Sequence, residues 1–186
     1  MASNSVPAPS GIAHLGFRTM NTGRLVDFYQ KLLGARVVLA NDFISLLAWD
    51  EQQHHHLAII NDPTAGAKDE SANGIDHFAL KFASVDDLVK VYRSAKEAGI
   101  MPFQCFNHGV SSSLYYKDPD GNHVEAMIEA YDKPEDLEKH MKGLDPLKVG
   151  RAVFDPEDLL RRVDAGEDDE TLRKAGFIGT PPAVSM

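Results

Sequence analysis

The apolar residues near the start of the chain alternate first with a period of two and then with a period of three to four. Residues 12–17 have the alternation of a β-strand. A helix is predicted next, because Asn21-Thr22 can cap it, Gly34 can end it, and five apolar residues fall on one face. These are Leu25, Phe28, Tyr29, Leu32 and Leu33. Three short strands are predicted around residues 35–39, 43–49 and 55–60. The predicted order is βαβββ.

The same order of elements recurs later in the chain. Ile12-Ala13-His14-Leu15 is matched 63 residues later by Ile75-Asp76-His77-Phe78, and the same offset relates Tyr29 to Tyr92. A second helix is predicted from Ser84 to Ala98. Its module is completed by strands around residues 102–106, 111–117 and 123–128. At the end of the modules the offset is 67 residues, so that Ala58 matches Glu125 and the second copy is longer within its loops.

Two tandem βαβββ modules predict an α+β fold with one curved mixed sheet around a metal-binding cup. We place this domain at residues 11–130, with modules at 11–62 and 74–130. Residues 1–10 are small and polar and are expected to form a flexible arm. Residues 131–186 are predicted to form a partly helical C-terminal extension that wraps the core or contacts a second copy in a homodimer. The alternative for this extension is a solvated tail.

Composition and charge exclude several classes of protein. The chain has 186 residues, of which 43% are hydrophobic, a composition typical of a globular protein. Its 19 basic and 28 acidic residues give a net charge of −9, which argues against a nucleic-acid partner. No apolar run approaches the roughly 20 residues that span a bilayer, so no membrane partner is expected. The single cysteine, Cys105, excludes an internal disulfide and suits a reducing compartment, and we expect a cytoplasmic protein.

Three of four symmetry-related strand positions carry side chains that can bind a metal ion. The positions are His14, Ala58, His77 and Glu125, which alternation and the repeat place on the concave face. Two imidazoles and one carboxylate are the ligand set of non-haem Fe(II) sites that react with oxygen. Because Ala58 cannot coordinate, about three positions on the metal would stay open for a bidentate substrate and dioxygen. Hydrogen-bonded strand histidines and a solvated glutamate are the alternative, but the joint placement favours a metal site.

The doubled module with His14, His77 and Glu125 resembles the vicinal oxygen chelate superfamily, which includes glyoxalases, bleomycin resistance proteins and type I extradiol dioxygenases. The resemblance covers residues 12–128. Two further segments resemble the extradiol branch. One is His54-His55-His56-Leu57-Ala58, and the other is Leu114-Tyr115-Tyr116-Lys117-Asp118-Pro119-Asp120-Gly121.

The resemblance to the extradiol branch implies roles for three further residues. It makes His55 the acid and base that takes a proton from the substrate and later returns it. It selects Tyr115, ten residues before Glu125, to hydrogen-bond a substrate oxygen, and His108 to contact substrate or oxygen. A structural interpretation stays open for two of them: His55 can be part of a solvated histidine run at residues 54–56, and Tyr115 can be an ordinary strand aromatic.

Strand alternation complicates the assignment of His55. If the strand starts at residue 55, His55 faces away from the cup unless a bulge intervenes, so His54 and His56 are rivals for its role. Alternation also places Tyr116 on the face opposite Tyr115, and His123 on the face of Glu125. A histidine at a hairpin end such as His123 is more often solvated than functional.

The sequence therefore predicts an Fe(II)-dependent extradiol dioxygenase that cleaves a catechol-like aromatic diol with O2 in the catabolism of aromatic compounds. One alternative is a glyoxalase-like lyase or isomerase that uses Mn(II) or another divalent metal. Those enzymes usually fill the fourth ligand position, which is Ala58 here. The other alternative is a non-catalytic protein that binds an aromatic metabolite, which has no need to retain His14, His77 and Glu125.

Overall fold

A computed structural model describes residues 6–142 and 152–174, so part of the N-terminal arm and parts of the C-terminal extension lie outside the described residues. The chain divides into two compact units, residues 1–67 and 68–186. The first unit contains β1 (Leu15–Thr19), α1 (Thr22–Leu33), β2 (Arg36–Ala40), β3 (Ile44–Ala48) and β4 (Leu57–Asn61). The second contains β5 (His77–Lys81), α2 (Val85–Glu97), β6 (Gln104–Asn107), β7 (Ser111–Lys117), β8 (His123–Glu129), α3 (Pro134–Lys142), β9 (Ala152–Val153), α4 (Pro156–Asp164) and α5 (Asp169–Lys174). The predicted α+β class and tandem βαβββ order are confirmed.

The first unit has a four-stranded sheet in the order β1-β4-β3-β2, with β1 parallel to β4. Helix α1 begins where predicted, because the side-chain oxygen of Asn21 accepts the N–H of Arg24 at 3.1 Å. It ends at Gly34, whose φ of 63° lies in the left-handed region that glycine adopts readily. The apolar face of α1 is buried through Leu25, Phe28, Tyr29 and Leu32.

The second unit has a five-stranded sheet in the order β5-β8-β7-β6-β9. The Ser84 hydroxyl caps α2 by accepting the N–H of Asp87 at 3.1 Å, as its sequence pattern predicts. Strand β9 was not predicted. It comprises only Ala152 and Val153, which pair with β6 and are too few to show a period of two.

Strand register confirms that the two modules are related as the repeat predicts. In the first unit Gly16 pairs with Ala58, and in the second Ala79 pairs with Glu125. Gly16 follows His14 by two residues, just as Ala79 follows His77. Ala58 and Glu125 therefore occupy equivalent positions in their own sheets.

Helices α4 and α5 of the C-terminal extension pack on α2. Asp155 caps α4 by accepting the N–H of Glu157 at 2.9 Å. The Glu157 carboxylate then accepts hydrogen bonds from Tyr92 and Lys96 of α2, both at 2.5 Å. Leu159 and Leu172 are 1% exposed, so both α4 and α5 bury apolar side chains. None of the helices in residues 6–142 and 152–174 is long and apolar enough to cross a membrane.

Candidate functional site

Two neighbouring parallel strands hold His77 and Glu125 side by side. Because Glu125 pairs with Ala79, two residues beyond His77, both side chains leave the same face of the second sheet. His77 Nε2 lies 3.0 Å from Glu125 Oε2. The glutamate side chain is 8% exposed and the histidine 37%. A buried carboxylate and an imidazole that converge on one point are suitable donors for a divalent metal.

A tight turn fixes the register that brings Tyr115 to Glu125. The Asp118 carboxylate accepts the N–H groups of Asp120 and Asn122, at 2.9 and 2.8 Å, and closes the β7–β8 hairpin. Tyr115 then lies directly opposite Glu125. Its hydroxyl donates to Glu125 Oε1 at 3.0 Å. We expected a contact with substrate alone, but the hydroxyl is already bonded to the carboxylate in the protein itself.

Tyr116 points to the opposite face of β7, as alternation predicts. It pairs with Val124 and is fully buried. Its hydroxyl has no hydrogen-bond partner among the described residues, and burial raises the pKa of this hydroxyl. The two adjacent tyrosines therefore differ in environment as well as direction.

His108 lies beside Tyr115, in the connection between β6 and β7. Its Nε2 is 3.2 Å from the Tyr115 hydroxyl. The connection is held by Asn107, whose side chain donates to Ser112 Oγ at 2.9 Å and accepts the N–H of Gly109 at 2.7 Å. The second unit thus contains a continuous series of polar contacts through His77, Glu125, Tyr115 and His108.

Aromatic side chains that sequence reasoning missed border this series. The Tyr115 ring lies 6.3 Å from that of Phe103 and 6.0 Å from that of Phe106, measured between centroids. Phe103 also lies 4.9 Å from the ring of His123. Phe106 could have been found by alternation, since it is paired with Ser113 on the face of Tyr115.

The first unit brings His14 and His55 together. Their ring centroids are 4.6 Å apart, and the His54 ring is 4.3 Å from that of His55. Within the described residues, the buried His55 Nδ1 has no hydrogen-bond partner. Burial, and then the neighbouring histidines His54, His14 and His56, lower the pKa of His55. A neutral imidazole at this position can accept a proton at neutral pH.

The conflict between His55 and strand alternation disappears because residues 54–56 precede β4, which begins at Leu57. No bulge is required. His56, one of the rivals, is engaged elsewhere: its Nε2 lies 3.2 Å from Asp50 Oδ2 and its ring stacks on Trp49 at 4.1 Å. His56 is 7% exposed, so its contacts are those of a structural residue.

Within residues 6–142 and 152–174, no group of three or more histidine, cysteine, aspartate or glutamate side chains is arranged to hold a metal ion. Each unit nevertheless contains at least one of the three predicted ligands. The second unit holds the converging pair His77 and Glu125, and the first unit holds His14 beside His55.

Residues 11–126 match the family model of the glyoxalase/bleomycin resistance protein/dioxygenase superfamily. The chain is 35% identical over 175 residues to biphenyl-2,3-diol 1,2-dioxygenase 2 of Rhodococcus globerulus, covering 91% of this chain and 90% of that protein. It is also 35% identical over 134 residues to biphenyl-2,3-diol 1,2-dioxygenase 3 of the same organism, covering 71% of this chain and 70% of that protein.

Solved structures show the same fold at low sequence identity. A glyoxalase/dioxygenase from Nostoc punctiforme aligns with a TM-score of 0.55 at 16% identity, covering 68% of this chain and 97% of that chain. A glyoxalase/bleomycin resistance protein/dioxygenase from Alicyclobacillus acidocaldarius aligns with a TM-score of 0.53 at 18% identity, covering 68% and 97% of the two chains.

Proposed function

Because the chain belongs to the glyoxalase/bleomycin resistance protein/dioxygenase superfamily, we propose that it is an extradiol dioxygenase acting on a catechol-like aromatic diol. The observation that carries this proposal is the contact series His77, Glu125 and Tyr115, in which an imidazole, a carboxylate and a phenol lie within 3.0 Å of one another in turn. The proposal is also supported by two relatives that are named biphenyl-2,3-diol 1,2-dioxygenases.

We propose His14, His77 and Glu125 as the ligands of one divalent metal ion, Fe(II) in the first instance. The His77 and Glu125 pair fits such an ion, since its donor atoms converge and the carboxylate is buried. We include His14 because the repeat makes it the counterpart of His77 in the first module. Mn(II) or another divalent ion is the alternative that metal analysis would separate.

Fe(II) bound there would supply open coordination positions for both the diol and O2. The protein's own groups would then orient the substrate and move its protons. His108 can hydrogen-bond a substrate oxygen, and the Tyr115 hydroxyl, which donates its own proton to Glu125, would accept a hydrogen bond from a substrate hydroxyl, so that the two side chains orient the ring. His55 would accept a proton from a diol hydroxyl, because burial lowers its pKa and favours the neutral imidazole.

The proposed reaction consumes one diol and one O2 and forms one ring-opened product. The bond that breaks joins one hydroxyl-bearing ring carbon to the adjacent ring carbon that carries no hydroxyl. Both atoms of O2 enter the product, and O2 is the oxidant. Phe103 and Phe106 provide apolar surface beside Tyr115 for an aromatic ring. The partners required are therefore a small aromatic substrate and O2.

The test is anaerobic reconstitution with Fe(II), followed by measurement of O2 uptake with a panel of catechols that includes biphenyl-2,3-diol. We expect O2 uptake together with a yellow ring-fission product, and loss of both in the Glu125→Ala variant. Glu129→Gln, which removes a carboxylate of the same strand that pairs with Lys81, is the matched control and should keep activity. Iron-loaded protein that consumes no O2 with any diol would overturn the proposal in favour of lyase, isomerase or binding activity.

A further inference from the structure

The imidazole of His77 is held between two carboxylates, only one of which belongs to the proposed ligand set. Its Nε2 faces Glu125 at 3.0 Å, while its Nδ1 lies 2.6 Å from Asp76 Oδ2. The Asp76 side chain is 86% exposed and contacts the nitrogen that points away from Glu125. Asp76 therefore cannot join Nε2 on a shared metal ion, and its contact with His77 needs another explanation.

We propose that Asp76 is a positioning residue that accepts the Nδ1–H of His77 and so fixes the ring in the orientation in which Nε2 faces the metal ion. This inference rests on the proposed function, in which His77 is a ligand. A neutral imidazole carries its proton on one ring nitrogen, and only the other nitrogen can bind a metal. Histidine ligands commonly donate the remaining N–H to a carboxylate, which fixes the tautomer and the orientation of the ring.

The repeat shows that this carboxylate is specific to the second module. The residue equivalent to Asp76 is Ala13, 63 positions earlier, which precedes His14. In the first module, the residue before the histidine therefore carries no carboxylate. Asp76 thus makes the two proposed histidine ligands unequal, and its removal should affect His77 alone.

The test combines two measurements on Asp76→Ala, Asp76→Asn and the unchanged protein. The first is the His77 Nδ1–H proton signal in Zn(II)-bound protein, recorded by ¹H–¹⁵N NMR of histidine-labelled samples and assigned through the signals lost in His77→Gln. The second is Co(II) affinity, measured anaerobically against a chromophoric chelator. Asp76→Ala should lose the downfield, slowly exchanging Nδ1–H signal and about tenfold in Co(II) affinity. Asp76→Asn keeps an acceptor oxygen and should lose less of both.

Glu70→Gln is the matched control. Glu70 is an exposed carboxylate that pairs with Lys117 at 2.7 Å, and its substitution removes the same charge as Asp76→Ala. It should leave the Nδ1–H signal and the Co(II) affinity unchanged. Equal losses in Glu70→Gln and Asp76→Ala would mean that net charge alone is responsible and would overturn the inference. An unchanged Nδ1–H signal in Asp76→Ala would also overturn it.

His77→Gln separates this inference from the proposed function. If His77→Gln does not weaken Co(II) binding, His77 is not a ligand, and both the metal site and the inference are wrong. If His77→Gln weakens binding while Asp76→Ala leaves it intact, the metal site stands and the role of Asp76 is wrong. Neither measurement requires turnover of a substrate.

Discussion

At the scale of single residues, the clearest contrast in the molecule is between Tyr115 and Tyr116. They are adjacent in β7, yet Tyr115 donates its hydroxyl to Glu125 at 3.0 Å while Tyr116 is buried with no partner for its hydroxyl among the described residues. The same substitution therefore removes the hydrogen bond to Glu125 at position 115, and at position 116 it removes a buried hydroxyl that has no partner among the described residues.

Tyr115→Phe should lower kcat/KM by about 10- to 100-fold, since it removes the hydroxyl that contacts Glu125 and the substrate. One hydrogen bond to a charged group contributes about 1.5–3 kcal/mol. Tyr116→Phe should leave kcat/KM unchanged and keep or raise the melting temperature. Steady-state kinetics and thermal unfolding of both variants measure this. Equal kinetic losses at the two positions would show that the assigned face of β7 is wrong.

The three consecutive histidines provide a second contrast. His55→Ala should slow turnover by about a hundredfold or more and leave the metal content intact, because it removes the proposed acid and base. His56→Ala should instead lower the free energy of unfolding by about 1–3 kcal/mol, because it removes the contacts with Asp50 and Trp49. Single-turnover rates and urea unfolding separate the two effects, and the exposed His54 is the control position. A turnover defect confined to His54→Ala or His56→Ala would transfer the role of His55.

At the scale of elements, the site depends on features that the sequence predicts to different degrees. The Asp118–Asn122 turn is evident from its residues, whereas Tyr115 was selected through the resemblance to the extradiol branch, and its pairing with Glu125 is a finding of the structure. The start of β4 was placed two residues too early, because a histidine run has no alternation that marks where a strand begins. The contact of Asp76 with His77 depends on side-chain rotamers, which a sequence pattern does not specify.

Helices α2 and α4 are joined by Glu157, whose carboxylate accepts from Lys96 and Tyr92 at 2.5 Å. These two hydrogen bonds lower the pKa of Glu157 in the folded protein. The stabilisation is therefore complete above the ordinary pKa of 4.5 and is lost as the pH falls below that value. Because the pair is about half exposed, solvent screening limits its contribution to roughly 0.5–1 kcal/mol.

Glu157→Gln should accordingly lower the urea midpoint at pH 7 and have a smaller effect at pH 3.5. Glu138→Gln, which removes an exposed carboxylate paired with Lys142 in α3, is the control and should have little effect at either pH. If the Glu157→Gln effect grew as the pH fell, the folded protein would not stabilise the charged form of Glu157, contrary to this prediction.

At the scale of the whole molecule, the two modules share a fold but differ in the chemistry of equivalent positions. Strand register equates Ala58 with Glu125, so the first module carries a methyl group where the second carries a carboxylate. The repeat and this asymmetry were both predictable from sequence, whereas β9 and the packing of α4 on α2 depend on contacts between distant segments.

Ala58→Glu should add a fourth ligand to the proposed site. We expect metal affinity at least equal to that of the unchanged protein and loss of O2-dependent turnover, because a coordination position is then occupied. Ala58→Gln has nearly the same size and no charge, and it should bind the metal more weakly than Ala58→Glu. Equal metal affinities in the two variants would show that position 58 does not face the metal.

We propose that the protein inserts both atoms of O2 into an aromatic diol. This proposal is tested most directly by supplying ¹⁸O2 to the Fe(II)-reconstituted protein with the catechol that it consumes fastest, and measuring the product by mass spectrometry. We expect a ring-opened product that carries two ¹⁸O atoms per molecule before any exchange with water. A product that contains no ¹⁸O, or one whose ring is intact, would contradict it.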